Sequence, residues 1–199
     1  MAQTGSLTDS APIEARVQAV EKILTRAGLV SSSDIADSEH AAQERWVSDN
    51  GAKVVAKAWS DPDYKRRLLA HGKSAVEELG FTLPPHHRHL VVLENTERIH
   101  NLICCSLCSC TAYSIIGLPP DWYKDFEYRS RVVRQARTVL GEMGLSLSPD
   151  VEVRVWDTTA DTRYMVLPLR PAGTEKFDET QLAALVTKES MIGASRLGG

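Results

Sequence analysis

Four cysteines lie within seven residues, at Cys104, Cys105, Cys108 and Cys110, and the 199-residue chain contains no others. Thiolates are strong ligands for soft and borderline metals, so a cluster this dense predicts a metal site. Structural zinc sites usually draw their ligands from two separated pairs, and ferredoxin-type clusters need four thiolates around a cage. Here three of the cysteines are so close that the backbone between them must also approach the metal. Cys104 is expected to be a small buried residue and not a ligand.

Residues 105–110, which we call the cysteine claw, offer both sulfur and nitrogen donors. The sulfur of Cys108, the backbone nitrogens of Ser109 and Cys110 and the sulfur of Cys110 close five- and six-membered chelate rings, so they can lie in one plane. Cys105 then supplies an axial sulfur, which leaves one position open for water or substrate. Deprotonated amides and thiolates are strong donors. They suit a trivalent, low-spin metal better than zinc, which prefers tetrahedral sites.

The claw sequence CSLCSC resembles the metal-binding signature of the nitrile hydratase α subunit. The resemblance continues through GLPPDWYKDFEYRSRVVR at residues 117–134, VRVWDTTADTRYMVLPLRPAGT at 153–174 and LVTKESMIG at 185–193. It is looser in the N-terminal part. Membership of this family implies a hydro-lyase that adds water to a nitrile to give an amide. In such an enzyme the metal acts as a Lewis acid on the nitrile or on water.

Two residues beside the cysteines bear on the identity of the metal. Ser106 and Thr111 resemble the iron-dependent branch, because cobalt enzymes typically have threonine at the first position and an aromatic residue at the second. The resemblance therefore implies one Fe(III) per chain, with Co(III) as the alternative. It also implies that Cys108 is oxidised to a sulfinate and Cys110 to a sulfenate. Electron-rich thiolates that face an open coordination site are reasonable targets for oxidation. The attacking oxygen is then either an activated water or the sulfenate oxygen.

The resemblance also implies a partner chain, the nitrile hydratase β subunit, in an αβ heterodimer or its α2β2 dimer. Two arginines of that subunit would bind the oxidised sulfur oxygens and tune the metal. Without them, buried oxidised ligands would leave uncompensated charge. In this chain Arg163 matches a family position at the subunit boundary. The alternative for Arg163 is a surface ion pair with Asp161, which would contribute little stability.

A histidine-rich loop at residues 86–89 is where this sequence departs from the chains that it resembles. Those chains carry a glutamine here that reaches towards the active site. We expect His86 or His87 to replace the glutamine as a hydrogen-bonding or proton-relay group, since imidazole titrates near neutrality. A solvated surface loop is the alternative. The candidate catalytic residues are therefore Ser109, Cys110, His86, His87 and Arg163.

Charge and composition limit the other functions open to the chain. The formal net charge is −3, with no basic excess that would attract nucleic acid or an anionic membrane. No long apolar run or secretory leader is visible, so we expect a cytoplasmic protein. Two alternative functions remain at this stage: a cobalt-type subunit similar to thiocyanate hydrolase, and a non-catalytic metal-binding or redox protein.

The elements that must position these residues follow from hydrophobic periodicity. We expect a flexible tail at residues 1–12, a helical N-terminal arm at 13–80 and a metal-binding catalytic domain at 81–199. The predicted fold class is α+β, with the arm leading into a layered α/β/β/α domain that carries the claw. The predicted helices are residues 13–29, 33–50, 52–59, 61–69, 74–79 and 125–143, and the predicted strands are 89–94, 151–157 and 164–169.

Overall fold

The computed structural model describes residues 12–198, so most of the predicted tail at residues 1–12 lies outside the described residues. The chain divides into two compact units, one ending at Gln43 and the other beginning at Glu44. The boundary at residues 80 and 81 between the helical arm and the metal-binding domain stays a prediction. The described helices are α1 (Ile13–Arg26), α2 (Ser32–His40), α3 (Ser48–Ser60), α4 (Pro62–Ala70), α5 (Gly72–Glu78), α6 (Tyr113–Ile116), α7 (Asp121–Lys124), α8 (Phe126–Glu142), α9 (Glu179–Ala183) and α10 (Lys188–Ile192), with a π-helical turn at Ala41–Arg45. The described strands are β1 (His89–Glu94), β2 (Ile99–Cys104), β3 (Glu152–Asp157) and β4 (Thr162–Leu167).

The four strands form two parallel pairs. β1 pairs with β4, and β2 pairs with β3 in a register that places Cys104 opposite Asp157. Parallel neighbours need a crossover, and α8 supplies it between β2 and β3. Because parallel strands end at the same edge of a sheet, the chain leaving β2 meets the chain leaving β3. The claw begins at that edge.

Helices cover both outer faces of the paired sheets. α4 and α5 pack on β1, the two sheets meet through β2 and β4, and α8 packs on β2 and β3. The core between these layers is apolar, with fully buried side chains such as Leu102, Ile103, Met165 and Leu167. The predicted α+β class with a layered α/β/β/α domain is therefore confirmed.

The N-terminal unit contains an amphipathic helix, as predicted. The apolar residues of α1 recur at helical spacing, and Ile13, Val17, Val20 and Ile23 are all exposed. α2 begins at a capping box in which the Ser31 side chain accepts from the amide of Asp34. None of the helices among residues 12–198 combines the length and apolarity needed to cross a membrane.

The predicted helix break at Asn50-Gly51 is wrong, since both residues lie inside α3. The Asn50 side chain donates to the carbonyls of Arg45 and Ser114, and so it joins segments that are distant in sequence. A Cβ at Gly51 would lie 2.5 Å from the Met191 sulfur and 3.0 Å from a backbone oxygen. Gly51 therefore allows close packing, and it does not end a helix. The break falls earlier, between the π-helical turn and α3.

Candidate metal centre

The claw leaves the end of β2 and folds its sulfur atoms together. Cys105 Sγ lies 3.3 Å from Cys108 Sγ, and Cys108 Sγ lies 2.9 Å from Cys110 Sγ. These three sulfur atoms lie within 4.8 Å of one another, and this is the single group of three or more potential metal ligands found among the described residues. Cys104 instead points into the core, where it is fully buried and burial raises its thiol pKa to about 12. The expectation that Cys104 is a small core residue is confirmed.

Backbone amides of the claw also face the sulfur atoms. The Cys108 amide donates to Cys105 Sγ at 3.4 Å, and the Cys110 amide also hydrogen-bonds to that sulfur. Within residues 12–198 the Ser109 amide donates no hydrogen bond, which leaves its nitrogen available. A peptide nitrogen can act as a ligand only if it is not committed to an acceptor elsewhere. The loop therefore presents sulfur and nitrogen donors from one short segment.

The thiols differ in how readily they ionise. Burial acts to raise the pKa of Cys105, but hydrogen bonds from Thr158 and from the Cys110 and Cys108 amides outweigh it and lower the pKa to about 7. Burial and the neighbouring Cys108 and Cys105 raise the pKa of Cys110 to about 12. Three thiolates so close together repel one another. A bound cation would relieve this repulsion and favour their ionisation.

A cavity of about 500 Å³ lies against the claw. The claw contributes Ser109 and Cys110 to its lining, and the histidine loop contributes His86 and His87. Most of the lining area is apolar, and the described lining residues also include the cations Lys124 and Arg163 but no carboxylate. Thus the structure brings all five candidate catalytic residues to one cavity. The lining residues are His86, His87, Ser109, Cys110, Thr111, Tyr113, Leu118, Pro119, Lys124 and Arg163.

His86 and His87 differ in environment. His86 is exposed, whereas His87 is fully buried, and their rings meet edge to face with centroids 4.4 Å apart. The Tyr113 ring also meets the His87 ring edge to face, with centroids 4.9 Å apart. Burial, the Arg163 charge, and the charges of His86 and Lys73 lower the pKa of His87 to about 4. His87 is therefore a neutral, fixed imidazole at physiological pH.

Arg163 is buried within this chain. Its Nη1 donates to the carbonyls of Thr159 and Thr162, and its Nε donates to His87. Asp161 does not pair with it, because the carboxylate accepts from the hydroxyls of Thr159 and Thr162. Arg163 thus ties the loop that follows β3 to the histidine loop beside the cavity.

Several residues that support the claw were not predicted. Tyr123 donates from its hydroxyl to the Cys110 carbonyl at 3.1 Å, and Tyr113 forms part of the cavity wall. Asp157 and Thr158 reach the claw from the end of β3. All four lie in or near the segments that carry the family resemblance, but only contacts across the fold reveal their roles.

Comparison with known proteins agrees with this site. The sequence profile of the family described as nitrile hydratase, alpha chain, matches residues 11–195. The chain belongs to this family. The low-molecular weight cobalt-containing nitrile hydratase subunit alpha of Rhodococcus rhodochrous is 50% identical over 184 residues, which cover 92% of this chain and 88% of that protein.

Solved structures and a related hydrolase extend the comparison. A double mutant of the Fe-type nitrile hydratase from Comamonas testosteroni Ni1 matches with a TM-score of 0.91 and 58% identity, over 96% of this chain and 92% of that chain. Thiocyanate hydrolase subunit gamma of Thiobacillus thioparus is 37% identical over 191 residues, covering 89% of this chain and 76% of that protein. The predicted family and fold, and the assignment as a hydro-lyase α subunit, are confirmed.

Proposed function

We propose that this chain, with a β subunit, hydrates nitriles to amides at a low-spin Fe(III) held by its claw. The proposed ligands are the sulfurs of Cys105, Cys108 and Cys110 and the backbone nitrogens of Ser109 and Cys110. The observation that carries the proposal is the convergence of three sulfurs within 4.8 Å beside a cavity that is largely apolar.

The donor set of the claw fits such a metal. Among the described residues, the sulfur cluster contains no carboxylate or imidazole. The donor set contains three thiols and the peptide nitrogens of Ser109 and Cys110, and the Cys110 amide hydrogen-bonds within the claw, to the Cys105 sulfur. Such donors suit soft or borderline metals, and their combined negative charge favours a trivalent ion. When bound, the metal supplies Lewis acidity towards the nitrile or water. Ser106 and Thr111 support iron over cobalt, although a 50% identical relative is described as cobalt-containing.

This chain's own residues would bind and orient the substrate. The apolar side chains of Leu118 and Pro119 would hold the organic group of the nitrile. His87 accepts from Arg163 through Nε2, so it carries its proton on Nδ1 and is fixed in orientation. Its neighbour His86 is exposed and lines the same cavity, which makes it the better candidate for a proton relay.

The cysteines are proposed to be modified. Cys108 is exposed and Cys110 partly so, whereas Cys105 is buried, in keeping with oxidation of the first two to a sulfinate and a sulfenate. The sulfenate oxygen on Cys110 would lie at the cavity. The neighbouring Ser109 also lines this cavity, and its hydroxyl could hydrogen-bond to that oxygen. Peptide mass spectrometry of the purified protein tests this through two added oxygens on Cys108 and one on Cys110.

The β subunit is proposed to cover the claw. Leu107, at the tip of the claw, is 87% exposed, and Phe126, which closely follows Lys124 of the cavity wall in the sequence, is 76% exposed. Large apolar side chains this exposed commonly mark interaction surfaces. Arginines of the partner would then face the oxidised sulfur oxygens, in an αβ heterodimer or its α2β2 dimer.

Co-expression with a β subunit tests the proposed activity. The purified complex is expected to convert small nitriles to amides, and the α chain alone is expected to be inactive. Thiocyanate is the comparison substrate, since a thiocyanate hydrolase subunit is also a relative. Turnover of thiocyanate without turnover of nitriles would overturn the proposal in favour of that alternative.

A further inference from the structure

The end of β3 contacts the start of the claw through one carboxylate. The parallel register places Asp157 opposite Cys104, the residue before the claw. Asp157 Oδ1 accepts from the Ser106 amide at 2.9 Å, and Oδ2 accepts from the Ser106 hydroxyl at 2.5 Å. Both oxygens of the carboxylate are therefore engaged by a single residue, which lies between two of the proposed ligands.

The carbonyl of Ser106 is also held. Arg129 Nη1 donates to it at 3.4 Å, while Arg129 Nε donates to the Lys124 carbonyl. The amide, hydroxyl and carbonyl of Ser106 thus all have partners. This is notable for an exposed residue in a loop, because exposed loop residues are usually free to reorient.

The next residue of the chain, Thr158, holds the other end of the claw. Its amide donates to the Cys104 carbonyl at 2.9 Å, which extends the pairing of β2 and β3 by one bond. Its hydroxyl lies against the Cys105 sulfur and within 3.4 Å of the Cys110 carbonyl. Asp157 and Thr158 together therefore contact the claw near both its first and its last ligand.

We propose that Asp157 is a positioning residue that holds the claw in its metal-binding shape before the metal arrives. The inference rests on the proposed function, because it assumes that the claw is a metal site. A free loop would have to be ordered by the metal itself, at a cost in affinity, whereas a loop fixed by the fold is already arranged. The role is structural and local: Asp157 acts through Ser106 and does not contact the proposed ligands.

Four substitutions separate the possible contributions of this carboxylate. Asp157→Ala removes both acceptors, and Asp157→Asn removes the charge but keeps one acceptor oxygen. Ser106→Ala removes only the hydroxyl bond, and Ser106→Thr retains it. Glu152→Gln is the matched control. Glu152 is an exposed carboxylate on the same strand, but it pairs with Arg154 and not with the claw.

The first measurement is amide hydrogen exchange of residues 105–110 in the αβ complex prepared without metal. Asp157→Ala is expected to speed this exchange at least about tenfold, with smaller effects for Asp157→Asn and Ser106→Ala. Ser106→Thr and Glu152→Gln are expected to match the wild type. Because this exchange rate is measured without metal, it tests the inference even if the wild-type protein binds no metal. Failure of the wild-type protein to bind metal would refute the proposed function but not this inference.

The second measurement is the rate at which a chelator removes metal from the loaded complex. Loss of a partner that orients metal ligands typically costs about 10- to 100-fold in affinity, so Asp157→Ala is expected to lose metal that much faster. The control variant should lose metal at the wild-type rate. If Asp157→Ala leaves both the exchange of the claw and the rate of metal loss within about twofold of Glu152→Gln, the inference is wrong. Should Asp157→Ala fail to fold, the hydrogen exchange and the rate of metal loss of the Asp157→Asn and Ser106→Ala variants test the inference in its place.

Discussion

Arg163 donates a hydrogen bond from Nε to Nε2 of His87 at 3.1 Å, and both side chains are buried. An imidazole nitrogen that accepts a hydrogen bond carries no proton, so this bond fixes His87 as the neutral tautomer protonated on Nδ1. Among the described residues Nδ1 has no partner, and neither has the buried hydroxyl of Thr111, which lines the same cavity. Two buried polar atoms of residues that line the cavity therefore have no hydrogen-bond partner among the described residues.

A pH dependence of stability follows from this relationship. The unfolded imidazole binds a proton below about pH 6.5, whereas folded His87 does so only near a pKa of about 4. Between these values the unfolded chain holds more protons, so acidification destabilises the folded state. His87→Gln lacks this contribution. We expect the difference in Tm between wild type and His87→Gln to shift in favour of the variant between about pH 7 and about pH 5.

Thermal unfolding of both proteins across this pH range makes the comparison. His100, another buried histidine with a lowered pKa, is present in both proteins and cancels from the difference. A difference in Tm that is independent of pH would show that His87 is not held neutral by its surroundings.

His86 is expected to affect turnover without affecting the metal. If it relays a proton, His86→Gln and His86→Ala should lower turnover about tenfold, which corresponds to about 1.4 kcal/mol of transition-state stabilisation. Glutamine can still hydrogen-bond but cannot take up a proton, so the glutamine variant tests the proton relay specifically. His71→Gln is the control, since His71 lines a different cavity. Wild-type kinetics in both His86 variants would mean that this residue belongs to a solvated surface.

The exposed apolar residues near the claw are expected to bind the partner. Leu107→Asp and Phe126→Asp should each prevent co-purification with an untagged β subunit, because a buried, unpaired carboxylate is costly at an interface. Phe177→Asp serves as the control, since Phe177 is 39% exposed and lies outside the claw and its cavity. Retention of the partner by both claw-side variants would place the interface elsewhere.

Gly193 is expected to be the glycine least tolerant of substitution. It ends α10 with a φ of +91°, and a Cβ there would collide with the carbonyl of Asn101 on β2. Gly193→Ala should therefore destabilise the fold by roughly 3 kcal/mol or more. Gly141→Ala is the control, because nothing lies within 4 Å of its Cβ position and alanine is the better helix former. Equal Tm values for the two variants would contradict this account of α10 and β2.

Local signals in the sequence predicted much of the fold. Asp61-Pro62 opens α4 as expected, because the Asp61 carboxylate accepts from the amides of Asp63 and Tyr64 and proline is favoured in the first turn. The failures depend on distant contacts. β2 escaped prediction because His100 and Asn101 interrupt its apolar pattern; both are buried and satisfied by Asn95, Gly193 and Glu94.

Contacts between distant segments of the chain also limited what could be predicted about the site. Cys105, Cys108 and Cys110 could be predicted to bind metal because their spacing alone brings them together. Asp157 lies 51 positions from Ser106, and only the pairing of β2 with β3 brings the two into contact. Likewise the Arg163–His87 bond joins segments whose proximity depends on the pairing of β1 with β4.

The metal content of four single cysteine variants, each purified with the β subunit, tests the central claim most directly. Wild type and Cys104→Val are expected to hold about one iron per chain, since Cys104 lies in the core. Cys105→Ala, Cys108→Ala and Cys110→Ala should each lose the metal, because removal of one thiolate opens a second coordination position and weakens the ligand field. Full iron in Cys108→Ala, or zinc in place of iron in the wild type, would contradict the claw.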